Sequence, residues 1–208
     1  MKTRTFALPC LLLLAACTSH DHATEAKHAS DKNAMSKPVP ATTTGTTAPA
    51  MAKDKQPTGA PTRAVAQLTA ASDSQVTGMI TFTQQPGGVE VHVHIEHLAP
   101  GKHGFHIHEM GDCSAHDGMS AGGHFNPDDK PHGDRLALAR HAGDLGNVTA
   151  DGAGVVEIVF TDTQIALSGP HSIIGRSAMV HADPDDGTTQ PTGNSGKRIA
   201  CGVVTAQP

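Results

Sequence analysis

The sequence predicts an all-β domain, a sandwich or barrel of short strands. Three observations carry this. Apolar and polar residues alternate over short runs, the pattern of a strand with one buried face. Gly 22 and Pro 14 separate those runs with turns. No long segment sustains a 3.6-residue period, so amphipathic helices have no claim on the core.

The chain opens on an address. Lys2 and Arg4 precede the apolar stretch Phe6-Ala7-Leu8-Pro9-Cys10-Leu11-Leu12-Leu13-Leu14-Ala15-Ala16, the layout of a secretory signal peptide over residues 1–16. Leu14-Ala15-Ala16-Cys17 resembles a bacterial lipobox. That implies lipidation of Cys17, which becomes the new N-terminus, and an exported protein held in the periplasm or cell envelope. Residues 17–63 are rich in Ala, Thr, Lys and Pro and poor in large apolar side chains. They bury too little surface to offset chain entropy and read as a disordered tether, with His20, His22 and His28 solvated in it. The folded domain is 64–208.

Within the domain, Val76, Ile80 and Phe82 share one face of a strand. After the break Pro86-Gly87-Gly88, Val89, Val91, Val93 and Ile95 alternate with Glu90, His92, His94 and Glu96, giving a hairpin with one buried face. Phe105 and Ile107 begin another strand. The turn Asp151-Gly152-Ala153-Gly154 precedes a strand over Val155–Phe160. Ser172–His181 and Ile199–Val204 supply the last strands. Gly111–Gly146 and Ala182–Lys197 are long and irregular, and loops of that length usually carry function.

Composition narrows the function. The net charge is −5, with five Phe and no Trp or Tyr. A basic nucleic-acid surface and a base-stacking platform are both disfavoured. No run of about 20 apolar residues exists to cross a membrane, so any membrane association runs through Cys17. Of the four cysteines, Cys10 leaves with the leader and Cys17 takes the lipid. Cys113 and Cys201 remain, and in an exported domain the simplest arrangement is one disulfide. Closing so long a loop stabilises by roughly 4–5 kcal/mol in the chain-entropy model.

Histidine is the outlier: 15, as many as Lys and Arg together. It is the commonest metal ligand. His106 and His108 share one face of a strand, a good pair of ligands. His92 and His94 have the same spacing, but their apolar neighbours face the core, so they read as polar positions on an outer face. After His108 the irregular stretch brings His116, His124, His132, His141 and Asp144, and His181 ends a later strand. A histidine series with one carboxylate suits tetrahedral zinc. Spacing alone leaves two readings open, two metal sites or several incidental histidines.

Five segments resolve this. Gly104-Phe105-His106-Ile107-His108-Glu109, Gly122-Gly123-His124-Phe125-Asn126-Pro127, His141-Ala142-Gly143-Asp144-Leu145-Gly146-Asn147, Ser172-Ile173-Ile174-Gly175-Arg176 and Gly193-Asn194-Ser195-Gly196-Lys197-Arg198-Ile199-Ala200-Cys201-Gly202 resemble copper–zinc superoxide dismutases, in the family's order and across essentially all of 64–208. The resemblance implies a Greek-key, immunoglobulin-like β-sandwich or flattened barrel with two long metal-site loops. It implies disproportionation of superoxide anion by a cycling copper, with one copper and one zinc per subunit.

Carried over by motif, His106, His108, His124 and His181 bind copper. His124, His132, His141 and Asp144 bind zinc, with His124 bridging the metals and acting in catalysis. Asp185 orients ligand histidines of both sites. Cys113 and Cys201 match the family disulfide, Arg198 the catalytic arginine beside copper, and His103 a structural histidine. Cys113 sits early relative to His124, resembling the bacterial branch. His116 has no counterpart in the pattern and reads as exposed. Asp183-Pro184-Asp185-Asp186 precedes a short loop, so electrostatic guidance is expected to be rearranged, and the resemblance implies a monomer or a homodimer. Two rivals stand beside this reading. A catalytically silent metal-binding relative would not need every ligand together with Arg198. A zinc hydrolase would need an open zinc position, which three histidines and an aspartate close.

Overall fold

Alternation is borne out in a computed structural model of the chain, which describes residues 59–208. The leader, Cys17 and nearly all of the expected tether lie outside the described residues. Eight strands follow in order: β1 (Arg63–Ala70), β2 (Thr77–Gln85), β3 (Gly88–Glu96), β4 (Gly101–His108), β5 (Asp144–Ala150), β6 (Val156–Asp162), β7 (Ser177–His181) and β8 (Arg198–Gln207). Among the described residues the only helical element is a 3₁₀ turn, Met119–Ala121.

All strand pairs are antiparallel, in the order β5-β4-β7-β8-β1-β2-β3-β6. β8 pairs with both β1 and β7 and joins the two halves. β5 and β6 approach at the open seam, so the sheet is a nearly closed barrel. The chain leaves β3 for β4 on the other half and later returns β6 to the flank of β3, a Greek-key path.

The core lies inside the barrel. Ile80 and Phe82 of β2 and Val89, Val91, Val93 and Ile95 of β3 are fully buried. Each such side chain contributes about 1.5–3 kcal/mol through removal from water. β4 differs, because it is buried on both faces from His103 to His108. Phe105 and Ile107 enter the core, while His106 and His108 project to the other side, where the long loops cover them.

Two expectations shift, and one strand goes unread. β1 escapes pattern reading because its inward residues are Ala64, Ala66 and Leu68, and alanine is a weak hydrophobic marker. The strand expected from Ser172 begins only at Ser177, since Gly175 takes φ +76 and turns the chain first. The irregular stretch expected to reach Gly146 ends at Asp144, where β5 begins.

Candidate metal centre

β4 and β7 present His106, His108 and His181 on one face of the β4–β7 ladder. Residue 124 reaches them because His108 and His124 form an isolated antiparallel bridge outside the regular strands. The ligand atoms of His106, His108, His124 and His181 lie within 4.8 Å of one another, and all four residues are buried. A second group, His124, His132, His141 and Asp144, meets the same limit and is equally buried. His124 belongs to both.

Hydrogen bonding sets which nitrogen each ring offers. His108 Nδ1 donates to the Gly122 carbonyl at 3.0 Å, and His181 Nδ1 to the Gly196 carbonyl at 3.3 Å. In neutral rings that leaves lone pairs on both Nε2 atoms, which face each other at 3.4 Å. His106 Nε2 donates to Asp185 Oδ2 at 2.7 Å, so Nδ1 carries its lone pair. His106 Nδ1 and His124 Nε2 are buried with no hydrogen-bond partner. Buried polar nitrogens left unpaired cost free energy, and four lone pairs converging without a proton between them fit a cation.

The second group closes on one carboxylate. Asp144 Oδ1 lies 2.8 Å from His124 Nδ1, 3.0 Å from His132 Nδ1 and 3.1 Å from His141 Nδ1. His132 Nε2 donates to Asp185 Oδ1 at 2.9 Å, so in the neutral ring that a metal needs Nδ1 turns a lone pair toward Asp144, and no hydrogen bond forms there. A divalent ion satisfies this geometry, and three nitrogens with one oxygen suit zinc. Asp144 Oδ2 accepts from the backbone N–H groups of Gly133 and His141, which fixes the carboxylate.

Electrostatics supports the same division. Burial lowers the pKa of His106, and it lowers those of His108 and His181 well below the usual imidazole value. Burial also brings His124 down to about 4, against the pull of Asp144. All four are neutral at pH 7, as ligands must be. His132 behaves oppositely: burial lowers it, but the carboxylates of Asp144 and Asp185, one beside each ring nitrogen, outweigh this and raise it to about 9. Asp144 and Asp185 resist burial and are held well below the ordinary carboxylate range by their histidine partners.

Asp185 joins the two groups, since its oxygens take His106 from one and His132 from the other. Its side chain is 1% exposed. Asn147 clasps its backbone, accepting from Asp185 N–H at 2.8 Å and donating to its carbonyl at 2.9 Å. Gln190 does the same for His132, at 2.8 and 2.9 Å. Residue reading gave Asn147 and Gln190 no role, although Asn147 lies in a quoted motif. Gly193 is required by space: a Cβ there would fall 1.9 Å from Asp185 Oδ1 and 2.6 Å from His132 Nε2.

Arg198 pairs with His181 across the β7–β8 ladder. Its Nη1 donates to Gly118 O and its Nη2 to Gly122 O, both at 2.7 Å. Gly122 O therefore serves Arg198 and His108 together. The guanidinium stays half-buried in a pocket lined also by Asp73, His116, Asp117, Met119 and Lys197. His116 is exposed, as expected, and its Nε2 lies 2.9 Å from Asp73. Cys113 and Cys201 are disulfide-bonded, with Cα atoms 5.7 Å apart, tying the loop that carries Gly118 and Gly122 to β8. His103 Nδ1 and Nε2 lie 2.9 and 2.8 Å from the carbonyls of His181 and Ala99, and the ring braces the backbone of a ligand residue. His92 and His94 lie apart from both groups, on the outer face of β3.

A nearly closed antiparallel barrel with two buried ligand groups sharing one imidazole defines a binuclear metalloprotein. The Copper/zinc superoxide dismutase family model matches residues 76–204. "Superoxide dismutase [Cu-Zn] A" of Xenopus laevis is 50% identical over 141 residues, spanning 64% of this chain and 92% of that protein. Among solved structures, the "clock protein EA4" is similar with a TM-score of 0.66 and 45% identity, over 72% of this chain and 97% of that one. The chain belongs to the copper/zinc superoxide dismutase family. It is an oxidoreductase of copper and zinc.

Proposed function

We propose that this chain disproportionates superoxide at a copper held by His106, His108, His124 and His181, beside a zinc held by His124, His132, His141 and Asp144. One ion of each serves a subunit, whether monomer or homodimer. The observation that carries this reading is His124, the only residue common to both ligand groups. Copper, when bound, supplies a one-electron cycle: one superoxide gives up an electron and leaves as dioxygen, and a second takes it with two protons and leaves as hydrogen peroxide.

The chain's residues do the rest. His124 Nδ1 is fixed at Asp144, which leaves Nε2 as the atom that holds and returns a proton during turnover. Asp185 keeps His106 and His132 oriented, and an outer carboxylate of this kind raises ligand basicity. Arg198 is a permanent cation whose fork is aimed by two carbonyls, and it docks the anion beside His108 and His181. The chain is net acidic, so attraction depends on this local positive charge.

The place of action is the cell envelope. Leu14-Ala15-Ala16-Cys17 behind an apolar stretch supports a lipid on Cys17 that anchors the domain through the 17–63 segment, on the periplasmic side, against periplasmic or extracellular superoxide. The early position of Cys113 supports a bacterial branch. Metal analysis of the full chain together with a superoxide-consumption assay tests the chemistry: copper and zinc at equal stoichiometry with turnover support it, and zinc alone with no turnover refutes it. For the anchor, Cys17→Ser should release the protein from the membrane fraction. A parent protein that already fractionates as soluble sinks that part.

A further inference from the structure

β3 carries two histidines that the metal centre does not use. His92 and His94 stand on its outer face, with side chains 48% and 45% exposed. Glu157 of β6 lies directly opposite His94 in the ladder, and its carboxylate takes both rings. His92 Nε2 donates to Oε1, and His94 Nδ1 donates to Oε2 at 2.6 Å. The other nitrogen of His94 is 3.5 Å from Glu96. On the opposite flank, β2 sets Met79 across from His94, and Met79 is 47% exposed.

This is more than a solvated polar face. Imidazoles at i and i+2 project from one side of a strand, and two ladders fix where their backbones sit. The fold thereby fixes the backbones, and the exposed side chains turn to bring their donor atoms onto one ion. Two nitrogens and a carboxylate oxygen suit a late first-row ion, and affinity for such donors peaks at Cu2+. A neighbouring thioether further favours copper over zinc.

We propose that His92, His94 and Glu157 form a third, solvent-exposed metal site that takes Cu2+, with Met79 at its edge. It lies on the β2–β3–β6 half of the barrel, on strands that supply no ligand to the buried centre. On binding, the protons the rings now donate to Glu157 move to the other ring nitrogens or to water. The freed lone pairs and the carboxylate oxygen then face the ion, and water fills its remaining positions.

The test is a calorimetric titration of the copper- and zinc-loaded full chain with Cu2+, repeated on the double variant H92Q/H94Q. The parent should take up one more equivalent than the variant. The difference spectrum in electron paramagnetic resonance should carry splitting from ligand nitrogens. Both proteins should consume superoxide at the same rate, because the buried ligands are untouched. Glu157→Gln should weaken the added binding. Equal uptake by parent and double variant overturns the proposal and assigns the extra copper to other histidines, such as His20, His22 and His28. A difference spectrum without nitrogen splitting overturns it as well. The result is independent of the proposed catalytic roles, since the comparison reads stoichiometry whether or not the centre turns over.

Discussion

Gly193→Ala tests the link between the two ligand groups with one methyl. Gly193 has φ +66, in the left-handed region. An L-residue there costs roughly 1–2 kcal/mol before any contact is counted. The new Cβ would then sit 1.9 Å from Asp185 Oδ1, inside any tolerable contact. Asp185 cannot swing away freely, because Oδ1 accepts from His132 Nε2 at 2.9 Å and from Gly187 N–H at 2.7 Å, and Oδ2 holds His106. Displacing it strips a buried histidine of a charge-assisted hydrogen bond, worth about 1.5–3 kcal/mol. Losing an outer-shell partner typically lowers metal affinity by about 10–100-fold. Zinc affinity, read by competition with a chromophoric chelator, should fall by that amount, and the midpoint of thermal unfolding should drop with it. Gly152→Ala is the control, since nothing lies within 4 Å of its Cβ position and its φ is ordinary. If Gly193→Ala binds zinc as tightly as the parent, Asp185 does not orient His132, and the reasoning fails.

Arg198→Ala should keep both metals and slow superoxide decay by roughly ten- to a thousandfold, the scale of one charge-stabilising group; loss of copper would make the residue structural instead. Arg198→Lys should lose less rate, because the charge remains while the fork that reaches Gly118 and Gly122 is gone. Arg140 is 2% exposed and pairs with Asp162 at 2.5 Å, so Arg140→Ala leaves a buried carboxylate uncompensated and should destabilise the protein by about 3–5 kcal/mol in denaturant titrations. The metal-free protein should lose stability as pH falls from about 6.5 toward 4. Unfolded imidazoles take protons there that His106, His108, His124 and His181 refuse when folded. His132, raised to about 9, works in another window: its contribution is complete below about pH 6.5, is lost as pH rises toward 9, and stays constant through the acid range; thermal melts that stay flat between pH 6.5 and 4 would contradict the burial argument.

How much the chain discloses depends on the kind of signal. The β2–β3 hairpin is legible because valine and isoleucine alternate with charge on a half-buried sheet. β1 is silent because alanine fills its inward positions. His106 and His108 cannot be told from His92 and His94 by spacing; what separates them is that β4 is buried on both faces, a property of the loops above it. The ligand sets follow from motif resemblance, and the structure brings the same residues together. Asn147, Gln190 and Gly193 escaped notice as individuals because they touch backbone or fill no space. Asn147 and Gln190 act between segments 38 and 58 residues apart, and Gly193 matters only through the two side chains packed against it.

Sharing His124 between the groups has a consequence for how the centre comes together. On the zinc side, His124 and Asp144 are 20 residues apart. On the copper side, His108 and His181 are 73 apart and meet only when β4 and β7 align. Loop-closure entropy favours the nearer pair by about 1 kcal/mol, roughly a sevenfold advantage. The zinc end is thus the local event, gathered within one loop, and the copper end the distant one. Once His124 is seated by its near neighbours, its free nitrogen already faces the place where β7 will deliver His181. Zinc acquired early would act as an assembly jig, and the order in which the two ions meet the newborn chain would govern the yield of active protein.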